Sequence, residues 1–300
     1  MRPMEKSFDL SNKLAVITGA SSGIGLQTAL EFCRHGASVI GVARSPQRCE
    51  EARLKILSAC PGAKILYLIA DLSLQSEIRR LAGDIEKALR QQGSSGLDIL
   101  VNNAGLFMDS LVLTEDGIET TIAVNHLAPF LLTVLLLPLL SARPDSRVIT
   151  VSSGSHYRTW LNPARLRRPL IFNSLWAYKV SKLANVLFSL ELNIRQAGRA
   201  PHAFAVDPGL VNTDIGLKGT GPLARFVWRQ RQKAGVDPAV PAATILTVAC
   251  DPEAPKSGAV YWYLSAPMQP SRTALNVELA ERLWQESSRL CHLEKQPKEE

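Results

Sequence analysis

Tyr178 and Lys182 stand four residues apart in Tyr178-Lys179-Val180-Ser181-Lys182, which opens a segment with helical apolar spacing (Leu183, Val186, Leu187, Leu190). That spacing puts both side chains on one face of a helix. A phenol with a pKa of about 10 is a poor base at neutral pH. A neighbouring ammonium lowers that pKa, so the tyrosine can pass a proton to or from a substrate oxygen. A serine can hold the same oxygen, and Ser152-Ser153-Gly154 follows the apolar run Arg147 to Val151. A Tyr/Lys pair alone says little, because surface helices often carry one.

A second group lies near the start, where Leu14-Ala15-Val16-Ile17-Thr18 runs into Gly19-Ala20-Ser21-Ser22-Gly23-Ile24-Gly25. Glycines at that junction let the chain turn tightly and let a pyrophosphate reach amides at a helix N-terminus. The spacing is G-x-x-x-G-x-G, not the G-x-G-x-x-G of many dehydrogenases. An acid after the second strand would bind a ribose 2′-hydroxyl, whereas an arginine accommodates a 2′-phosphate. Here Gly41-Val42-Ala43 is followed by Arg44, with no acid before Glu50, so Arg44 points to NADP(H), with Arg48 as a helper. Asp71-Leu72 and Asn102-Asn103-Ala104-Gly105 follow the third and fourth apolar runs. Asp71 could accept from an adenine amino group, and the small-residue turn would let adenosine lie close to backbone. Both could equally be loop stabilisers, since Asn and Asp favour turns.

The elements that must hold these groups are short apolar runs. They lie at Leu14 to Thr18, Ser38 to Val42, Ile65 to Ile69, Ile99 to Val101, Arg147 to Val151, His202 to Val206 and Ala259 to Tyr263. Helical patterns such as Ile24 to Cys33 and Ile78 to Leu89 separate most of them. That alternation predicts an α/β doubly wound parallel sheet, a Rossmann fold, covered on both faces. Ligands then sit beyond the carboxyl ends of the strands, where every group named above falls. No linker divides the chain, so residues 1–300 read as one domain, with an ordered core over about 10–290, a C-terminal substrate lid and a polar tail at 291–300.

The chain has 300 residues, 46% hydrophobic and 20% charged, enough for a substantial core. Cys33, Cys49, Cys60, Cys250 and Cys291 form no CxxC pair, which fits a reduced intracellular protein without a structural metal. The N-terminus lacks the apolar core of a signal peptide. Leu127 to Leu140 is too short to span a bilayer, carries Pro129 and Pro138, and reads as a buried helix. A soluble cytoplasmic protein without a transmembrane anchor is expected. The net charge is +7. The basic stretch Arg225, Arg229, Arg231 and Lys233, interleaved with Phe226 and Trp228, reads as a solvated face beside the lid and not a nucleic-acid patch, with peripheral membrane contact as the alternative.

Taken in order, Thr18-Gly19-x-x-x-Gly23-Ile24-Gly25, Asn102-Asn103-Ala104-Gly105, the strand-end serine and Tyr178-x-x-x-Lys182 resemble the short-chain dehydrogenase/reductase family over about residues 10 to 290. The resemblance implies a catalytic tetrad of Asn125, Ser153, Tyr178 and Lys182, with Ser153 chosen as the second serine of its pair and Ser152 turned away. It implies that Asn125 holds a water in a proton relay and that Lys182 also binds the nicotinamide ribose. It matches Asp207-Pro208-Gly209-Leu210-Val211-Asn212-Thr213 to a turn against the nicotinamide, with Thr213 and the Val211 backbone as contacts. Relatives usually carry histidine or asparagine where Asp207 stands.

The long gap between Ser153 and Tyr178, the Ser-Lys-Leu-Ala-Asn run at 181–185 and Leu283-Trp284 resemble the retinol dehydrogenase-like subgroup. That implies an NADP(H)-dependent enzyme acting on a hydrophobic aldehyde or ketone and its alcohol. The extra stretch His156 to Trp176 should form a flap beside the pocket. Leu106, Phe107, His156, Trp160, Trp176 and a lid from Ile215 to Trp228 are candidate walls. His156 is taken as structural or as a wall, not as a base. Apolar helices at Val124 to Leu140 and Ala177 to Arg195 suggest a homo-oligomer, with self-burial as the alternative. A catalytically silent NADP(H)-binding sensor or scaffold is the competing reading of the whole chain.

Overall fold

The computed structural model describes residues 8–211 and 235–293. Eight strands form one sheet: β1 Leu14–Thr18, β2 Ser38–Ala43, β3 Lys64–Ile69, β4 Ile99–Asn102, β5 Arg147–Val151, β6 His202–Asp207, β7 Tyr261–Tyr263 and β8 Ala266–Pro267. Their order is β3-β2-β1-β4-β5-β6-β7-β8, parallel through β7, and this is the doubly wound sheet expected from the sequence. The departure is β8, which pairs antiparallel with β7 through a tight turn at Leu264 and Ser265. Both turn residues have positive φ, 48° and 61°. Hairpin turns of that kind normally use Asn or Gly, so the sequence carries no signal for this one.

Helices α1 Gly23–Arg34, α2 Pro46–Ala59 and α7 Ala239–Cys250 lie on one face. The other face carries α3 Gln75–Gln91, the short α4 Thr120–Ile122, α5 Ala128–Ser141, α6 Ser174–Gln196 and α9 Val277–Leu290. A four-residue turn of helix, α8 Glu253–Lys256, follows α7. Strand alternation sorts the core. Leu14 and Val16 of β1 pack toward α3 and α5, while Ala15 and Ile17 pack toward α1 and α7. Each inner strand is buried on both sides, which is why its sequence reads as an unbroken apolar run.

A π-helical turn, Ala123–Leu127, joins α4 to α5. Together, Thr120–Ser141 is long and apolar enough to cross a bilayer by length and composition, yet 72% of its most apolar window is buried inside the fold. Helix α9 covers the apolar side of α5 and α6. Trp284 sits edge-on to Phe130 at 4.9 Å and stacks on Phe188 at 6.0 Å, with the Arg195 guanidinium 4.5 Å from its ring centroid. Gln75 and Arg79 on α3 donate to the carbonyls of Leu290 and Cys291, at 2.9 and 2.6 Å, satisfying the end of α9. The chain thus covers part of the apolar surface of α5 and α6 with its own α9.

Candidate active site

The sequence-predicted groups converge on one cleft of about 980 Å³ at the carboxyl ends of the strands. At one end the glycine turn leaves β1. Gly19 and Gly23 have φ of +68° and +55°, a region that suits glycine. Gly25 answers a different need, because a Cβ there would lie 2.4 Å from the Gly19 carbonyl and 2.5 Å from Asn103 Nδ2. Asn103 stitches the turn together: its Nδ2 donates to the Thr18 carbonyl at 2.7 Å, and the Asn103 and Ala104 amides donate to Thr18 Oγ1 at 3.0 Å. No side chain caps α1 at Ser22, and no acid stands in its first turn. Its free amides and positive dipole end are therefore left for an anion.

Gly19, Ser21, Ser22, Gly23, Ile24, Asn103, Ala104 and Gly105 line this end of the cleft, as do Arg44, Arg48, Asp71 and Leu72. Gly25 is not on its wall. Arg44 reaches Asp71 only at 3.9 Å and keeps 76% of its side chain exposed. Asp71 Oδ1 accepts from the Ser73 amide and hydroxyl at 2.9 and 2.7 Å, so part of its carboxylate is spent on its own loop.

At the other end stand Ser153, Tyr178 and Lys182, with Pro208, Gly209 and Val211 opposite. Asn173 caps the amide of Trp176 at 2.9 Å and starts α6, which carries Tyr178 and Lys182 one turn apart. Lys182 Nζ donates to the Val151 carbonyl at 3.0 Å and lies 5.5 Å from the Tyr178 ring centroid. Both serines of the pair border the cleft, but their hydroxyls have different partners. Ser152 is buried and donates to the Lys182 carbonyl at 2.8 Å, tying β5 to α6. Ser153 borders the cleft, hydrogen-bonded to the Ser155 hydroxyl and amide, both at 3.1 Å.

Asn125 lies in the π turn, fully buried and behind the cleft wall. Its side chain clamps the Leu106 backbone, accepting from the amide at 2.8 Å and donating to the carbonyl at 2.9 Å, and it also donates to Ser181 Oγ at 3.1 Å. A π turn at such a position is a frequent mark of a functional site. Thr213 and the lid segment lie outside the described residues.

Burial dominates the electrostatics. Lys182 is pushed down to about 8 by desolvation, opposed by the Asp207 carboxylate. Tyr178 is pushed up to about 12, again by desolvation, with a hydrogen bond from Ser153 acting the other way. This reverses the lowering expected from the Tyr/Lys spacing. Loss of water around the phenol is the largest influence on it, and the Lys182 ammonium is itself desolvated and bound to a carbonyl.

Of the predicted walls, Leu106 faces the cleft, while Phe107 is buried with its ring 5.8 Å from that of Tyr178. His156 is buried and structural: Nδ1 lies 2.9 Å from the Ser153 carbonyl, and Nε2 accepts from the Ser271 amide at 3.1 Å. Trp160 and Trp176 pack on each other at 5.4 Å and do not line the cleft. The stretch 156–176 is pinned rather than free-standing, since the Arg167 carbonyl accepts from the Glu119 amide at 2.9 Å and Tyr157 donates to Gln269. Met108, Thr120 and Val124 also line the cleft and were missed. They arrive with the segment folded over the end of β4, and only Val124, beside Asn125, carried any signal.

A family profile described as short chain dehydrogenase matches residues 13–219. Mouse (Mus musculus) retinol dehydrogenase 12 is 35% identical over 96% of this chain and 89% of its own length. Retinol dehydrogenase 13 from Homo sapiens is 35% identical over 95% of this chain and 86% of its own. Dehydrogenase/reductase SDR family member 13 from Bos taurus is 38% identical over 72% of this chain, and the match spans about half (56%) of that relative. Among solved structures, an uncharacterized protein from Mycobacterium Paratuberculosis aligns with a TM-score of 0.71 and 31% identity, covering 95% of both chains. A short chain dehydrogenase from Burkholderia cenocepacia, in complex with NADP, aligns at 0.66 and 25% identity over 85% of this chain and 97% of that one. With the glycine turn, the strand-end serine and the Tyr/Lys helix meeting in one cleft, and relatives matched along nearly its whole length, this chain belongs to the short-chain dehydrogenase/reductase family, among sequences like the retinol dehydrogenases.

Proposed function

We propose that this oxidoreductase uses NADP(H) to interconvert a hydrophobic aldehyde or ketone and its alcohol. The observation that carries the reading is the continuity of one cleft from Arg44 and the glycine turn to Ser153, Tyr178 and Lys182. The uncapped N-terminus of α1 and the space left by Gly19 and Gly25 fit a pyrophosphate, and Arg44 suits a 2′-phosphate. The relative crystallised with NADP and the relatives named for retinol support the cofactor and an apolar substrate.

When bound, the cofactor supplies the hydride. Ser153 holds the substrate oxygen. Tyr178, kept protonated by burial, donates its phenolic proton to that oxygen as a carbonyl is reduced and recovers it from solvent. Lys182 offers its ammonium to the phenolate left behind and to the cofactor ribose. Asn125 fixes the Leu106 backbone at the cleft wall and ties it to Ser181 on α6, between Tyr178 and Lys182. The neutral phenol is the form able to donate a proton in the reductive direction.

We also read the chain as one domain, since one sheet carries residues from Leu14 to Pro267. The test of function is NADPH consumption across a panel of apolar aldehydes and ketones. Tyr178→Phe should lower kcat/KM by about 10²- to 10⁴-fold while leaving NADPH binding intact. A wild-type protein that binds NADPH but reduces none of the panel would favour a sensor.

A further inference from the structure

We propose that Asp207 is a positioning residue that locks the Pro208–Gly209 turn to the sheet and sets a buried carboxylate against the turn that follows Ser153. The inference rests on the catalytic reading above.

Asp207 ends β6 and is nearly buried. Its Oδ1 accepts from the Gly209 amide at 2.9 Å, and its Oδ2 accepts from the Tyr261 hydroxyl on β7 at 2.8 Å. Both partners donate, which is what a carboxylate requires. Gly209 has φ of +70°, which glycine adopts readily, and the Asp207 carboxylate holds its amide in that conformation at the cleft wall. Beside it, a Cβ at Gly154 would lie only 3.1 Å from Asp207 Oδ2, so the carboxylate is packed against the residue that follows Ser153. One side chain thus joins the serine turn after β5, the Pro-Gly turn after β6 and the strand β7.

The titratable groups around it come from three elements. Tyr178 and Lys182 belong to α6, His156 and Tyr157 to the segment after β5, and Tyr261 to β7, and each senses the Asp207 charge. Only Lys182 among them is a cation in ordinary solution at neutral pH. Desolvation pulls its proton off, and the Asp207 charge holds it on. The carboxylate also discourages ionisation of Tyr178, reinforcing the phenol as a donor. An asparagine could hold Gly209 but would supply no charge.

The test compares Asp207→Asn, Asp207→Ala and Tyr261→Phe by fluorescence titration with NADPH, by thermal melting, and by the pH profile of kcat/KM. Asp207→Ala should bind NADPH about tenfold more weakly, with Asp207→Asn within about twofold of wild type, because asparagine still accepts from Gly209. The alkaline limb of kcat/KM, where Lys182 loses its proton, should move down by about one pH unit in Asp207→Asn and stay put in Tyr261→Phe. NADPH binding unchanged in Asp207→Ala would overturn the positioning role. A pH profile of Asp207→Asn superimposable on wild type would overturn the charge role. Should Asp207→Ala not fold, asparagine that folds and binds NADPH as wild type supports the positioning role, and asparagine that binds as poorly as a broken turn overturns it. Failure of the catalytic reading looks different, since wild type itself would then reduce nothing while the NADPH titrations still report on the turn.

Discussion

Arg44 reaches the rim of the cleft with most of its side chain in water and nothing firmer than a 3.9 Å approach to Asp71. Exposed pairs of this kind contribute under about 1 kcal/mol, so the guanidinium is free to turn toward a phosphate. Arg44→Asp should lower the ratio of kcat/KM for NADPH over NADH at least about tenfold. Unchanged NADPH affinity would show that Arg44 does not read the 2′-phosphate. The place of Arg44 on the cleft wall was legible because it depends on one position after one strand. That the Ser152-Ser153 pair ends a strand at the cleft was legible for a similar reason, the apolar run before it. The partners of Asp207 were not, because Tyr261 lies 54 residues further on and meets it only after the sheet has assembled. The shift of Tyr178 was hidden too, since spacing reveals a neighbouring charge but not how much water the fold removes.

At the scale of elements, the seven parallel strands were readable to within about two residues: burial on both faces leaves the inner ones as continuous apolar runs, and the edge strand β3 is apolar in sequence though half exposed. β8 was unreadable because Leu264 and Ser265 are unusual residues for its turn. The π turn was also silent, though it sets the position of both Asn125 and His126. His126 is buried beside it, with Nε2 2.9 Å from Ser287 Oγ on α9, and desolvation pushes it down to about 4. An unfolded chain has an ordinary imidazole near 6.5. Between those values the unfolded state binds a proton that the folded state refuses, so stability falls as pH falls through that window. The loss is on the order of 3 kcal/mol at its full extent. His156 and His202, also lowered by burial, add in the same direction. Urea unfolding of His126→Gln should therefore show a flatter decline from pH 6.5 to 4 than wild type. An equally steep decline would mean that His126 does not carry it.

For the whole molecule, the sheet separates two apolar cores, and the larger stays open to water until α9 lies across it. The sequence marked Leu283-Trp284 as a subgroup feature without revealing what the pair packs on. Phe130 and Phe188 come from helices that end about 80 residues or more before α9 begins. A ribosome makes the chain in the opposite sense to this closure. At roughly 5–20 residues per second, all eight strands emerge before the helix that covers α5 and α6. For those seconds the nascent protein presents Phe130 and Phe188 to whatever holds unfinished chains. Stalled chains ending at Asn276 should crosslink to a general chaperone through α5 and α6, whereas chains extended far enough to free Leu290 from the exit tunnel should not. Equal crosslinking of both would mean that the core closes without its last helix.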